Sequence, residues 1–320
     1  MAVFTPVSAE QMADFLSGYD VGTLVSAKGI AEGVQNSNFL VETSERRFIL
    51  TLYEQERVDA ADLPFFMALT DHLADRGLPV PRAIRDRAGR QINAVAGRPA
   101  CLIEFLSGVS LTHPTTPQAR IVGEALGRMH GALADFAGTR PNALGLSGWR
   151  DLAARCGTRL DADLPNFAAR IAVELDWLEA HWPAGLPHAA IHADLFPDNV
   201  LMLDERLTGI IDFYFACTDV RAWDVAVTHA AWCFEADGTG FSAERAAALM
   251  AGYAATFGLS AAEHAAFPAL LRGAALRFTL TRAWDWISTP ADALVVRKDP
   301  RAFLRRLDFY RGATPAMLGL

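Results

Sequence analysis

The chain has 320 residues, of which 52% are hydrophobic and 21% are charged, a composition typical of a globular protein with one large or two modest domains. Its net charge of -8, from 29 Lys and Arg against 37 Asp and Glu, argues against nonspecific binding to nucleic acid or to an anionic membrane, because both require a basic surface. Four widely spaced cysteines, an N-terminus without a signal-like pattern and the absence of a long apolar stretch predict a cytoplasmic protein with reduced thiols.

The first hundred residues mix strand and helix patterns. Their β-rich segments predict strands over 22–27, 38–42, 47–53, 83–84, 91–95 and 100–105. Apolar residues at helical spacing predict one helix over 59–75, which Gly77 and Pro79 end. We therefore expect a small N-terminal lobe, residues 1–105, with a five-stranded antiparallel sheet plus a helix.

The rest of the chain, residues 106–320, is mostly alanine-rich and favours helix. Helices are predicted over 116–137, 151–159, 167–181, 243–257, 261–289 and 300–311, and a β-rich insert over 189–194, 200–203 and 207–212. The order of elements predicts an α+β fold in which a larger, mainly helical C-terminal lobe follows the small one.

The β-rich insert carries the most informative polar residues. His192, Asp194 and Asn199 lie in a loop bracketed by apolar strands, and Asp212 ends the next strand. Strand ends can hold carboxylate and amide oxygens rigidly, and such oxygens suit Mg²⁺, which usually shares its coordination shell with phosphates.

The segment reads H-x-D-x-x-x-x-N and is followed by apolar-apolar-Asp-Phe at residues 210–213. This pattern resembles the aminoglycoside and choline kinase superfamily, whose two-lobed fold is protein-kinase-like. The resemblance implies that Asp194 is the catalytic carboxylate, that Asn199 and Asp212 hold Mg²⁺ on ATP, and that His192 supports the loop backbone. Asp224, in Trp223-Asp-Val-Ala226, would steady the same loop, although an ordinary helix N-cap explains it equally well.

A phosphate-covering loop is predicted between the first two strands. Its candidate residues for ATP binding are Lys28, Gly29, Gly33, Asn36, Ser37 and Asn38, whose backbone amides could cover the phosphates. Kinases of this kind place a lysine on the third strand, but Thr51 stands at that position here. Because Lys28 is the only lysine in the lobe, we expect it to point into the nucleotide cleft, unless it is simply a solvated lysine at a strand end.

The resemblance extends over nearly the whole chain to one branch of the superfamily, the type II homoserine kinases. It rests on segments 33–38, 48–54, 63–66, 192–201, 211–215 and 277–285. The branch implies L-homoserine as the acceptor, with Arg282 for the carboxylate and Asp285 for the ammonium group, because the two share a helix face. Arg277 and Tyr214 are further candidates for the acceptor pocket, and a plain surface ion pair is the alternative for Arg282 and Asp285.

Adenine is expected where the lobes join. The backbone of Glu104 and Leu106 would bind the ring edge, and apolar side chains such as Leu201 would cover its faces.

Three other hypotheses remain open at this stage. The first is a kinase for another hydroxylated acceptor, such as an aminoglycoside, choline or a protein side chain. The second is a pseudokinase, suggested by the missing lysine, and the third is a metal hydrolase that uses His188 and His192. The sequence does not fix the oligomeric state.

Overall fold

The computed structural model describes residues 5–30, 36–54, 59–289 and 297–320, and they form two compact units. Unit 1 lies within residues 1–107, and unit 2 contains the described residues from Gly108 to Leu320. Within these ranges, no helix has both the length and the apolar character needed to cross a membrane.

Unit 1 is built on a five-stranded antiparallel sheet, which confirms the prediction for the N-terminal lobe. The strands follow the order β1-β2-β3-β5-β4 and comprise β1 Leu24–Gly29, β2 Ser37–Thr43, β3 Arg47–Leu52, β4 Asn93–Val95 and β5 Arg98–Glu104. Helix α1 (Ala9–Leu16) precedes the sheet and helix α2 (Leu63–Asp75) follows β3.

The core of unit 1 lies between α1 and one face of the sheet. Phe39, Val41, Phe48 and Leu50 alternate onto this face and are buried together with Met12 and Leu16 of α1. Burying a large apolar side chain contributes about 1.5–3 kcal/mol, so this cluster holds the sheet and α1 together.

The opposite face carries a different row of side chains. Lys28 pairs with Leu40, Leu40 with Ile49, and Ile49 with Ile103 across four neighbouring strands. Directly paired residues lie on one face of a sheet, so Lys28 stands on the face opposite to the α1 core. Thr51 lies two residues after Ile49 on the same strand and therefore shares that face.

Unit 2 is mainly helical. Its helices are α3 Thr116–Ala132, α4 Leu146–Cys156, α5 Phe167–His181, α6 Arg221–Trp232, α7 Ala243–Thr256, α8 Ala261–Ser288 and α9 Arg301–Gly312. Its strands are β6 Val109–Ser110, β7 His188–Ile191, β8 Val200–Leu203, β9 Arg206–Ile210 and β10 Cys217–Val220, which form a β6-β8-β9 sheet and a β10-β7 pair.

Helices α3 and α7 approach each other closely because two glycines face the contact. A Cβ atom at Gly123 would lie 2.1 Å from the Leu249 carbonyl oxygen, and one at Gly252 would lie 2.1 Å from the Arg120 carbonyl oxygen. Any larger residue at either position would therefore push the helices apart.

Several elements differ from the sequence prediction. Strands β6 and β10 were not predicted, the predicted strand at 83–84 is an isolated bridge at Ala83, and α4 begins at Leu146 and not at residue 151. Helix α1 was missed, although Ser8 and Gln11 form a capping box at its start. Helix α6 was also missed; it is buried from Ala222 to Trp232, so even its polar residues Asp224 and Thr228 do not form a solvent-exposed face. Lys28 and Gly29 were assigned to a loop but are the last two residues of β1, hydrogen-bonded in register with β2.

Candidate active site

Asp194 and Asn199 are joined directly within the 192–199 loop, which connects β7 to β8 in unit 2. The Asn199 side-chain amide donates to the backbone oxygen of Asp194 at 2.8 Å and to its carboxylate Oδ2 at 3.2 Å. Because the amide hydrogens are used in this way, the side-chain oxygen of Asn199 is left to accept from, or bind, another group.

Asp212 follows β9 and is tied to the same loop. The neighbouring Ile211 N–H donates to the Asn199 carbonyl oxygen at 3.0 Å. Asp212 itself has a left-handed backbone with φ +65°, and its carboxylate accepts from the Tyr214 N–H. The strand end and the loop thus bring two oxygen-bearing side chains, Asn199 and Asp212, to the same part of the unit.

The two carboxylates of the site have raised pKa values. Loss of hydration is the largest cause for Asp194 and raises its pKa to about 7, against the opposing charge of Arg277 and with a further increase from Asp212. The Asp212 side chain reaches solvent, yet enough protein surrounds it that lost hydration, followed by the charge of Asp198, raises its pKa to about 6. A carboxylate with a pKa near 7 is suited to accept a proton at neutral pH.

The backbone of the loop is held from both sides at Ala193. The two carboxylate oxygens of Asp224 accept from the His192 N–H and the Ala193 N–H, each at 2.8 Å. On the other side, the guanidinium group of Arg277 donates to the Ala193 carbonyl oxygen. Ala193 has φ +61°, a conformation that costs a non-glycine residue about 1 kcal/mol or more, so these contacts stabilise a strained position beside Asp194.

A second layer of hydrogen bonds supports Asp224. His130 Nε2 lies 3.2 Å from Asp224 Oδ2, and His130 Nδ1 lies 2.9 Å from the Tyr253 hydroxyl across the close α3–α7 contact. Burial alone would raise the pKa of Asp224, but the hydrogen bonds and the charge of His130, with smaller contributions from His192, keep it below its usual value. The sequence analysis missed His130 and Tyr253.

The ring of His192 uses both of its nitrogens for backbone contacts. Nε2 lies 3.0 Å from the Ile211 carbonyl oxygen, and Nδ1 accepts from the Asp194 N–H at 3.3 Å. Burial lowers the pKa of this ring, so it is neutral, as the two contacts require. His188 lies on β7 with its Nδ1 3.0 Å from the Leu186 carbonyl oxygen. An imidazole with both nitrogens engaged cannot bind a metal, which argues against the metal hydrolase hypothesis.

The predicted acceptor residues lie on α8 and just after Asp212. Arg277 is almost fully buried under the loop, where its guanidinium also lies 5.3 Å from the centre of the Phe215 ring. Arg282 lies against the Phe303 ring and has no hydrogen bond or ion pair with the part of the chain that the structure describes. Burial lowers its pKa to about 10. Asp285 is exposed, and Tyr214 is half-buried.

Cations and carboxylates are also paired at the end of the loop. Lys298 Nζ donates to Asp198 Oδ2 at 3.0 Å and lies 5.7 Å from the centre of the Phe196 ring. Phe196 is itself fixed by ring contacts with Phe278 and Phe303.

In unit 1, two side chains of the predicted phosphate loop, Ser37 and Asn38, already have partners within the unit. The Ser37 hydroxyl donates to Glu54 at 2.7 Å, and the Thr51 hydroxyl donates to Asn38 Oδ1 at 2.7 Å. Asn36 is buried, and its Oδ1 has no partner among the described residues. Gly33 lies outside the described residues.

The remaining predicted ATP-binding residues fall into three groups. Lys28 is exposed near the end of β1, and Gly29 ends that strand. Glu104 and Leu106 line an open cavity of about 660 Å³ in unit 1, together with the turn between β2 and β3. Leu201 is half-buried on β8 of unit 2.

Residues 26–264 match the family model described as "Phosphotransferase enzyme family". The chain is 55% identical to a homoserine kinase of Zymomonas mobilis over all of both chains, and 54% identical to one of Azorhizobium caulinodans over 99% of this chain and 98% of the relative.

Similar solved structures include an amicoumacin kinase in complex with AMP-PNP, Ca²⁺ and Ami (TM-score 0.71, 14% identity, covering 96% of this chain and 94% of the other). A microcompartment-associated aminopropanol kinase is also similar (TM-score 0.71, 19% identity, covering 95% of each chain). At such identities the likeness concerns the fold alone, and it confirms the predicted protein-kinase-like class.

Proposed function

Since the chain belongs to the phosphotransferase enzyme family, we propose that it transfers the γ-phosphoryl group of ATP to the side-chain hydroxyl of L-homoserine. The products are ADP and O-phospho-L-homoserine, an amino-acid intermediate of threonine biosynthesis. The observation that carries this proposal is the convergence of Asp194, Asn199 and Asp212 in one braced loop region, and the homoserine kinase relatives supply the acceptor.

Asp194 acts on the acceptor hydroxyl. Its carboxylate accepts the hydroxyl proton as the oxygen attacks the γ-phosphorus and the bond to the ADP oxygen breaks. Asp224 and Arg277 contact the backbone of Ala193 from opposite sides and so fix the loop that carries this carboxylate. The fixed carboxylate then orients the attacking hydroxyl.

Asn199 and Asp212 suit a Mg²⁺ ion bound with ATP. Both offer oxygen donors, and the available side-chain oxygen of Asn199 is the feature of this structure that fits a metal. In the described ranges, no group of three or more His, Cys, Asp or Glu side chains is placed to hold a metal ion. One or two protein oxygens with phosphates are the usual magnesium arrangement, and the ion then neutralises phosphate charge.

Arg282 is the best-placed anchor for the acceptor carboxylate. It is unpaired within the described residues, and the charges that act on it include Asp198 and Asp194. A guanidinium group binds a carboxylate with two parallel hydrogen bonds, which suits an amino-acid substrate. Asp285 and Tyr214 complete the proposed acceptor site, and Arg277 supports it from beneath the loop.

The nucleotide-binding residues stay predictions from the sequence: Lys28, Gly29, Gly33, Asn36, Ser37, Asn38 and Thr51 for the phosphates, and Glu104, Leu106 and Leu201 for adenine. The pseudokinase hypothesis is disfavoured because Asp194, Asn199 and Asp212 are all present and held in place. The cytoplasmic location stays a prediction.

A panel of acceptors tests the proposal. ADP release should be fastest with homoserine and slow with serine, threonine, choline or an aminoglycoside. The compound 3-aminopropan-1-ol, which is homoserine without its carboxylate, is the matched control. We expect wild-type enzyme to prefer homoserine over it by about 10²-fold or more, and Arg282→Ala to remove most of that preference. A faster reaction with any other acceptor would overturn the assignment of homoserine.

A further inference from the structure

Lysine is almost absent from this protein, yet one lysine lies at the catalytic loop. Lys28 and Lys298 are the only two in the chain, against 27 arginines. Lys298 comes from the segment that leads into α9 and reaches the 192–199 loop, where its ammonium group contacts Asp198 at 3.0 Å.

This contact contributes little to stability. The side chains of Lys298 and Asp198 are each 55% exposed, and exposed ion pairs contribute about 0–1 kcal/mol. By contrast, the ring beneath the ammonium group, Phe196, is buried and held by two other rings. An exposed cation therefore lies over a buried aromatic ring that is two residues along the loop from Asp194.

Lys298 is placed for a different role from Arg282, which was assigned to the acceptor carboxylate. Asp198 comes directly before Asn199, so the ammonium group lies next to the proposed magnesium side of the loop. The charge of Lys298 acts on both Asp194 and Asp212, after the larger effect of lost hydration at each. The transferred phosphoryl group must pass between the hydroxyl at Asp194 and the phosphates at Asp212.

Thr51 leaves part of the phosphate charge without the usual strand lysine. We propose that Lys298 supplies a cation to the phosphoryl group during transfer, exchanging its contact with Asp198 for one with a phosphoryl oxygen. Asp198 then serves as the resting partner that keeps the ammonium group at the site. The inference deepens the proposed kinase reaction and rests on it for the identity of the acceptor.

The test compares Lys298→Met and Lys298→Arg with a matched control, Arg297→Met. The control removes the same charge one residue away, from a side chain that contacts Trp286. For each variant, kcat, the KM for homoserine, the affinity for MgADP and the slow hydrolysis of ATP without acceptor are measured.

Lys298→Met should lower kcat by about 10²-fold and lower acceptor-independent hydrolysis in parallel, since stabilisation of developing charge is lost in both reactions. The affinity for MgADP should stay within about 3-fold, because that complex lacks the transferred group. The KM for homoserine should also stay within about 3-fold, because Lys298 is proposed to contact the phosphoryl group and not the acceptor. Lys298→Arg should recover part of kcat.

Several outcomes would overturn the inference. If the kcat of Lys298→Met stays near the wild-type value, Lys298 has no role in transfer and forms only a surface ion pair with Asp198. A raised KM for homoserine with unchanged hydrolysis would assign the cation to the acceptor carboxylate. An equal loss of kcat in Arg297→Met would show that the effect is not specific to Lys298. Failure of the wild type to phosphorylate homoserine would refute the proposed acceptor alone, because the hydrolysis readout does not depend on it.

Discussion

Replacing Asp224 by Asn tests whether the buried carboxylate holds the catalytic loop. The side chain keeps its size and loses one acceptor oxygen, and its new NH₂ group faces either the His192 N–H or the Ala193 N–H. Both amides now bond to Asp224 at 2.8 Å in a fully buried site. One buried donor is thus left without a partner, which costs about 1–3 kcal/mol, and the other bond loses its charge assistance, about 1 kcal/mol more.

The total cost of about 2–4 kcal/mol is expected as a loss of global stability, as a shift of the loop, or as a combination of the two. If the loop keeps its position, the whole cost lowers the free energy of unfolding, which urea denaturation measures. If the loop shifts instead, kcat for homoserine falls, and 3 kcal/mol corresponds to about 150-fold. Tyr253→Phe is the control, because it removes one hydrogen bond to His130 at the far end of the same chain of contacts. That variant should lose about 1 kcal/mol of stability and keep kcat within a few-fold of wild type.

Wild-type stability together with wild-type kcat in Asp224→Asn would refute this reasoning. A large loss in Tyr253→Phe that equals the loss in Asp224→Asn would also count against it, because the effect should decrease with distance from the loop.

Four further predictions concern catalysis, metal, nucleotide and pH. Asp194→Ala should lower kcat by about 10²-fold or more, because the reacting hydroxyl loses its proton acceptor. The Kd of ATP should stay nearly unchanged in calorimetry, because Asn199 keeps its hydrogen bond to the backbone oxygen of residue 194; near-normal turnover would contradict the prediction. Asp212→Asn should abolish the Mg²⁺-dependent part of nucleotide affinity, measured with and without a chelator; a retained metal effect would place the ion elsewhere. Lys28→Ala should raise the KM for ATP by about 5-fold, the size expected for one solvent-exposed charge contact, and an unchanged KM would leave Lys28 as a solvated residue. Burial lowers the pKa of His229 on α6 from 6.5 to about 4, so below pH 6.5 the unfolded chain binds a proton that the folded protein does not. Stability should therefore fall by about 3 kcal/mol between pH 6.5 and 4, and in urea titrations His229→Gln should show a smaller fall; an identical fall in both proteins would refute the assignment to His229.

The fold class and the reactive residues could be predicted from sequence for a simple reason. Asp194, Asn199 and Asp212 are separated by at most 18 positions, so the pattern that identifies them is local. The β-rich apolar runs of β2 and β3 are equally local, and they indicated the sheet correctly.

The supporting residues could not be predicted, because their contacts are distant in sequence. His130 reaches Asp224 across 94 positions, and only the close approach of α3 and α7 gives it Tyr253 as a partner. Arg277 was predicted as a substrate ligand from its residue type, and its contact with Ala193, 84 positions away, could not be read from the sequence. A buried helix without a polar face hides such contacts from any period analysis.

The scarcity of lysine makes this protein unusually easy to probe with amine-directed reagents. An acylating label can modify only two side-chain amines, and Lys298 is solvent-accessible at the edge of the candidate active site. Mass spectrometry of labelled peptides would therefore read out the occupancy of that edge at one residue, with no mutation, because the peptide that carries Lys298 is distinct from the one that carries Lys28, the only other lysine. A fluorophore attached there would turn the same amine into a sensor that reports nucleotide arrival in real time.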